Sequence, residues 1–333
     1  MNPRRRIIPL FVPHLGCPND CVFCNQRKIS GSLTPADGDT VRRTLELARE
    51  YTPAGAELAF YGGSFTAIPT DQQRELLEAA RPYVEQGFIG EIRVSTRPDK
   101  IDPAALELLR EYGVKTIELG SQSMDDRVLR MSGRGHTAED TRKAAKLIKA
   151  GGFNLMLQMM TGLPGSDGDT DVMTARELIK LRPDGVRIYP TVIIRDTALY
   201  ELWQAGKYRE HTVDDAVSVC AEIVKEFDAA GIPIIRLGLN PTDDLSSGEA
   251  VAGAYHPALG ELVYSRIYLQ KAEQLIEKIG CRDTLTLGVH PSRVSLMIGQ
   301  KRQNIEKLKT KFGIKEIKVI KTEVNDGEIV ILP

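Results

Sequence analysis

The chain has 333 residues, 42% hydrophobic and 27% charged, which is ordinary for a protein that buries a full core and leaves room for one large domain with a small appendage. Lys and Arg total 44 against 45 Asp and Glu, so no molecule-wide field favours nucleic acid or membrane and any such preference must be local. No apolar run reaches a membrane span, and Ile7 to Val12 is too short for a secretory signal. A cytoplasmic protein with no membrane partner is therefore expected, in which five cysteines do not make a disulfide framework.

The first predicted strand, Ile7 to Val12, leads into His14-Leu15-Gly16-Cys17-Pro18-Asn19-Asp20-Cys21-Val22-Phe23-Cys24. Cys17, Cys21 and Cys24 are separated by three residues and then by two, and a loop of that size can wrap three thiolates around one metal centre. Three ligands leave one iron of a four-iron cluster open to an exogenous ligand, as in catalytic metal sites. A structural zinc site with His14 as fourth ligand is the competing reading, and iron content separates the two.

Further strands are expected at Glu57 to Tyr61, Glu91 to Thr96, Thr116 to Leu119, Asn154 to Met159, Gly185 to Tyr189 and Ile232 to Leu237. Between them, apolar residues fall near the spacing that turns one helix face toward a sheet, as in Ala105/Leu108/Leu109, Ala144/Leu147/Ile148 and Val217/Ile223/Phe227. Asp102-Pro103 supplies a cap and a first-turn proline, and Gly113, Gly151 and Gly231 follow apparent helix ends. Strand and helix alternation predicts an α/β fold, a partial or complete β/α (TIM-like) barrel over residues 1–240. Residues 241–281 read as a polar linker followed by a helix from about Leu262 to Ile279, and 282–333 as a small basic α/β unit. Cys220 falls within a predicted helix and reads as packing.

At this point the chain resembles the radical S-adenosylmethionine superfamily, whose members carry this cysteine spacing after the first strand of a β/α barrel. Phe60-Tyr61-Gly62-Gly63-Ser64-Phe65-Thr66, Val94-Ser95-Thr96-Arg97-Pro98, Gly120-Ser121-Gln122, Gly133-Arg134-Gly135-His136 and Gln158-Met159-Met160-Thr161-Gly162-Leu163-Pro164-Gly165 follow in order. Together they look most like the radical domain of the Elongator catalytic subunit, which modifies the tRNA wobble uridine, and more distantly like oxygen-independent coproporphyrinogen oxidase. The resemblance implies a four-iron four-sulfur cluster, S-adenosylmethionine and a reducing partner such as flavodoxin or ferredoxin. By position it implies that Gly62, Gly63 and Ser64 receive the methionyl amino group, that Ser95 lies near the ribose, that Gln122 and Gln158 contact the nucleoside, and that Arg134 pairs with the methionyl carboxylate. Ser95 and Gln158 stand where the coproporphyrinogen-type enzymes tend to have acidic residues. Too few residues follow the barrel for the acetyltransferase-like domain of the Elongator subunit, so acetyl-CoA-dependent chemistry is not expected.

The last segment, Ile298-Gly299-Gln300-Lys301-Arg302-Gln303-Asn304-Ile305, resembles a KH-type nucleic-acid module, in which Ile-Gly-x-x-Gly opens a helix and clamps a nucleotide backbone. Arg302 replaces the second glycine. Gly299, Lys301 and Arg302 are the candidate RNA contacts, within a stretch where lysines and arginines outnumber acids. The competing reading is a solvated lysine-rich helix packed through Ile305, Leu308 and Phe312. The function expected is reductive cleavage of S-adenosylmethionine at the cluster to a 5′-deoxyadenosyl radical acting on RNA, notably tRNA. A small-metabolite substrate and a noncatalytic zinc-containing RNA-binding protein are the alternatives.

Overall fold

The computed structural model describes residues 6–12, 21–24, 36–239, 248–280 and 283–332. Its elements begin with β1 (Ile7–Phe11), α1 (Gly38–Arg49), β2 (Ala56–Tyr61), α2 (Thr70–Glu85), β3 (Ile89–Thr96), α3 (Pro103–Glu111), β4 (Val114–Gln122), α4 (Asp126–Met131), α5 (Ala138–Ala150), β5 (Asn154–Thr161) and α6 (Gly168–Lys180). They continue with β6 (Gly185–Pro190), β7 (Val192–Ile194), α7 (Ala198–Gln204), α8 (Val213–Ala229), β8 (Ile234–Leu237), β9 (Ala250–Gly253) and α9 (Leu259–Ile279). The last are β10 (Thr284–Val289), α10 (Val294–Ile298), α11 (Gln303–Phe312), β11 (Glu316–Lys321) and β12 (Ile329–Leu332).

Seven strands form one sheet in the order β1-β2-β3-β4-β5-β6-β8, with every pairing parallel. All seven expected strands are present, and among the described residues the sheet is open, with β1 and β8 at its edges. The barrel is therefore the partial one. Helices cover its outer face because alternate strand residues there are apolar and fully buried: Leu58, Ile92, Ile117, Leu155, Leu157, Val186 and Ile188 meet Leu45, Leu76, Leu77, Leu109, Ile148, Leu178 and Phe227. Each such leucine or isoleucine contributes roughly 1.5–3 kcal/mol by burial. Side-chain caps fix where the helices start: Asp102 accepts from the Ala105 amide, and Thr137/Asp140 and Thr212/Asp215 form reciprocal capping boxes.

The opposite, concave face of the sheet carries charge. Glu57, Arg93, Glu118 and Arg187 point into it and are buried. Arg93 bonds Glu57 through Nε and Nη2, at 2.8 and 3.1 Å, and Glu118 Oε2 lies 3.4 Å from Arg93 Nη1 and 3.1 Å from Arg187 Nε. Parallel strands covered on both sides are normally apolar on both sides. A paired ionic belt on this face marks it as the wall of a cavity.

The C-terminal unit is a three-stranded sheet, β11-β10-β12, backed by α10 and α11. It is not joined to the barrel by a free linker. Val263 and Ile267 of α9 lie in the barrel's core, while Tyr268, Leu269, Ala272 and Ile276 of the same helix lie in the small unit's core. Asn304 Nδ2 donates to Ser265 O and Oγ of α9 at 3.0 and 2.9 Å, fixing α11 to that helix. No helix among the described residues is long and apolar enough to cross a membrane.

Candidate active site

The carboxyl ends of the strands gather the residues singled out from the sequence. Cys21 and Cys24 close one turn, with the Cys24 amide donating to Cys21 O at 2.9 Å. Val22 and Phe23 between them pack into a side cluster with Ile193, Leu199 and Tyr208. The Val22 amide donates to Ser132 O, and Val22 O accepts from the Leu199 amide. Apolar packing and these two backbone bonds thus fix the turn, with the Cys21 sulfur beside Arg134. Cys17 and His14 lie outside the described residues. Among those residues, no three His, Cys, Asp or Glu side chains converge to hold a metal ion.

Gly62 and Gly63 follow β2 with φ of 77° and 59°, values that side-chain-bearing residues adopt only at a cost. A Cβ on Gly62 would meet the Phe11 ring and Val12 backbone at 3.6–3.7 Å, so this turn sits over the strand that leads to the cysteines. Ser64 points inward: its hydroxyl lies 2.8 Å from Thr96 Oγ1 and accepts from the Arg97 amide at 3.2 Å. The Ser64 side chain ties the ends of β2 and β3 together.

Arg134 connects the ends of β3 and β4 to Cys21. Its Nη1 lies 3.5 Å from Cys21 Sγ, its Nη2 donates to Gly120 O at 2.6 Å, and its own carbonyl accepts from Arg97 Nη2 at 2.6 Å. Gln158 Nε2 donates to Gln122 Oε1 at 3.3 Å. Gln122 holds a left-handed φ of 62° at the end of β4. Gly120, Gln158, Arg187 and Arg236 are register partners across β4, β5, β6 and β8, and Ser95 faces the same cavity beside Glu118. The structure therefore brings Cys21, Cys24, Arg134, Gln122, Gln158 and Ser95 to one mouth.

Two groups there were not assigned roles from the sequence. Arg97, only 1% exposed, joins Asp99 Oδ1, at 2.9 Å, to the Arg134 carbonyl. Arg187 donates to the hydroxyls of Tyr61 and Tyr189 at 2.8 and 3.2 Å. Burial and the nearby Glu118 carboxylate push the Tyr61 hydroxyl up to about 12, so it stays protonated. The only signal in the sequence was a single charged residue, Arg187, inside an otherwise apolar strand pattern. His136 is structural: Nε2 bonds Ser121 O at 3.2 Å, and burial together with the Arg134 charge lowers the imidazole to about 4, leaving it neutral.

Beside the mouth, the Gly162–Gly165 turn is held from below by a buried set of polar groups, over a cavity of about 580 Å³. Asp171 accepts from the Gly162 amide at 2.9 Å and from Ser166, Tyr208 donates to Gly162 O at 2.6 Å, and His211 Nε2 lies 3.1 Å from Thr161 Oγ1. Burial raises Asp171 to about 7, against the lowering effect of its Ser166 and Gly162 bonds. A carboxyl raised on folding keeps its proton in the native state between about pH 4 and 7, where the unfolded chain has released it. Its stabilisation is thus present at low pH and lost as pH rises through 7. Urea titrations of wild type and Asp171→Asn from pH 4 to 8 should show a falling stability in wild type, on the order of 4 kcal/mol, that the variant lacks. Parallel profiles would remove Asp171 as the cause.

An open parallel sheet with a cysteine turn, a glycine turn and a polar concave wall at its strand ends defines a β/α-barrel enzyme with its cofactor in the mouth. The residues present fit a four-iron cluster with S-adenosylmethionine: thiol donors on a fixed turn, a buried guanidinium beside one sulfur, and a side-chain-free turn open to a ligand. The chain belongs to the radical SAM superfamily, whose family model matches residues 11–178, and a radical SAM C-terminal domain matches residues 183–269. Membership assigns a four-iron four-sulfur cluster and S-adenosylmethionine as cofactors and displaces the zinc alternative.

The tRNA uridine(34) acetyltransferase of Methanocaldococcus jannaschii is 32% identical over 193 residues, 57% of this chain and 34% of that protein. Elongator complex protein 3 of Mus musculus is 31% identical over 232 residues, 63% of this chain and 41% of that one. The chain thus spans about a third to two-fifths of the length of these relatives. Among solved structures, the Elp3 of Methanocaldococcus infernus superposes with a TM-score of 0.63 at 24% identity, covering 81% of this chain and 64% of that one. Coproporphyrinogen III oxidase from Escherichia coli superposes with a TM-score of 0.50 at 18% identity, over 68% of this chain and 53% of that one.

Proposed function

We propose that this radical SAM enzyme acts on RNA, with a tRNA as substrate, and that a low-potential donor such as flavodoxin or ferredoxin reduces it. When bound, the cluster and S-adenosylmethionine supply the hydrogen-abstracting radical chemistry of the superfamily. In this reading Cys17, Cys21 and Cys24 hold the cluster. Gly62 and Gly63 leave room for the methionyl amino group, Arg134 faces its carboxylate, and Ser95, Gln122 and Gln158 line the nucleoside's side of the mouth. The belt of Glu57, Arg93, Glu118 and Arg187 closes the cavity below with fixed charges.

The observation that carries RNA as substrate is a groove of about 390 Å³ on the small unit, lined by Ile298, Ile305, Ile317, Val319 and Ile320 with Arg302, Lys309, Lys315, Lys318 and one carboxylate, Glu316. Lys309, Lys315 and Lys318 are each ion-paired on the surface, to Glu306, Asp283 and Glu316, so Arg302 is the cation left open there among the described residues. Apolar surface for bases beside cations for phosphates is the composition that single-stranded nucleic acid requires. The loop opening the groove keeps a left-handed backbone without its second glycine, with φ of 49° at Lys301 and 62° at Arg302. Neither side chain has an ion-pair partner among the described residues. The name of the archaeal relatives, tRNA uridine(34) acetyltransferase, supports the same substrate class.

Salt-dependent gel shifts with bulk tRNA test it. Neutralising Lys301 and Arg302 together should weaken binding about tenfold and flatten the log–log salt slope by about 1.4. In parallel, tRNA should raise 5′-deoxyadenosine release by reduced wild-type enzyme. Release indifferent to tRNA, together with unchanged binding in the variant, would return the search to small metabolites.

A further inference from the structure

We propose that Arg134 is a positioning residue for the cluster itself: the hydrogen bond it gives Cys21 fixes that ligand sulfur and raises the cluster's reduction potential. The inference rests on Cys21 being an iron ligand. It concerns a different partner from the methionyl carboxylate, because the sulfur lies 3.5 Å from Nη1 before any substrate is bound.

Three observations converge on it. Arg134 is 7% exposed, its guanidinium is anchored through Nη2 by Gly120 O at 2.6 Å, and its backbone by the amide bond to Leu129 O at 3.0 Å. A second buried arginine secures the same residue, as Arg97 Nη2 binds the Arg134 carbonyl at 2.6 Å and its Nε binds Asp99. Room for the guanidinium is kept by the absence of a side chain at position 120, where a Cβ would lie 3.1 Å from Arg134 Nη2 and 3.0 Å from Gln122 Nε2. Arg97 is neutralised by Asp99, so the charge at the sulfur is that of the Arg134 guanidinium. A cluster gains negative charge when reduced, and an N–H donor on a ligand sulfur with a cation behind it favours that state.

The test is redox titration of the anaerobically reconstituted full chain, followed by the electron paramagnetic resonance of the reduced cluster, with no S-adenosylmethionine present. Wild type, Arg134→Lys, Arg134→Gln and Gly120→Ala are compared, with iron and sulfide measured in each. The reduction equilibrium of Arg134→Gln should fall about tenfold, a shift of about 59 mV to lower potential. Arg134→Lys should recover part of that shift, and Gly120→Ala, which keeps the charge but displaces the guanidinium, should move in the same direction. Loss of cluster from Arg134→Gln, with retention in Arg134→Lys at a lowered potential, also supports the assignment. Wild-type potentials in fully loaded Arg134 variants, or in Gly120→Ala if neither Arg134 variant loads, would overturn it. A Cys21→Ala chain that keeps a full cluster would instead remove the ligand assignment beneath it.

Discussion

A Cys21→Ala chain reconstituted anaerobically should bind far less iron and sulfide than wild type, lose the brown absorbance of the cluster, and release 5′-deoxyadenosine only at background. The expectation follows from ligand count: an open iron requires three protein thiolates, and removing one leaves two for a centre that three barely hold. Cys220→Ala is the matched control, because Cys220 is buried within α8, and burial pushes its thiol up to about 12. Its removal should cost packing and leave the cluster in place. Equal cluster loss from both variants would mean that the fold, and not coordination, had failed.

Glu118→Leu should destabilise the barrel by about 3–5 kcal/mol, the cost of leaving buried cations without their partner. Glu118 is 2% exposed and sits between Arg93 and Arg187, at 3.4 and 3.1 Å. Arg93 keeps Glu57, so most of the loss falls on Arg187. The double variant Glu118→Leu/Arg187→Leu should recover part of the stability, since it leaves no unpaired buried charge, though the Tyr61 and Tyr189 hydroxyls lose their donor. Urea unfolding of the two singles and the double measures the coupling. Additive losses would show that water already reaches Arg187. The double variant also separates stability from chemistry, since Arg187 orients the Tyr61 and Tyr189 hydroxyls on the cavity wall.

The strands were legible because their outward residues are β-branched or leucine and their ends are punctuated by glycine and proline, as at Gly62-Gly63 and Arg97-Pro98. The loop expected at the cysteines is present as a turn over Cys21 to Cys24, while Cys17 lies outside the described residues. The antiparallel pair β7 and β9 was not legible, since each strand is three or four residues long and they meet across more than fifty intervening positions. Helices α4 and α7 are too short for periodicity to declare itself. Glu57, Arg93, Glu118 and Arg187 were visible as residues but had no meaning until register placed them on one face. Ser64 shows the converse: the glycine turn was read correctly as a turn, yet which way the hydroxyl points depended on Thr96 and Arg97, more than thirty residues away. Arg302 shows that a missing glycine does not abolish a left-handed turn; the backbone accepts the residue at a cost of about 1 kcal/mol.

Helix α9 is shared by two cores, and that sharing behaves like the beam of a caliper. Its 21 residues make a rod about 32 Å long. One half is clamped in the barrel wall and the other in the small sheet, with Asn304 bolting the basic loop's helix to Ser265 in the barrel half. A groove carried on a flexible tether would sample many distances from the barrel mouth and pay for that freedom on binding. Here the span is a property of the fold, so it can be altered only in steps of helical turns added to or cut from α9.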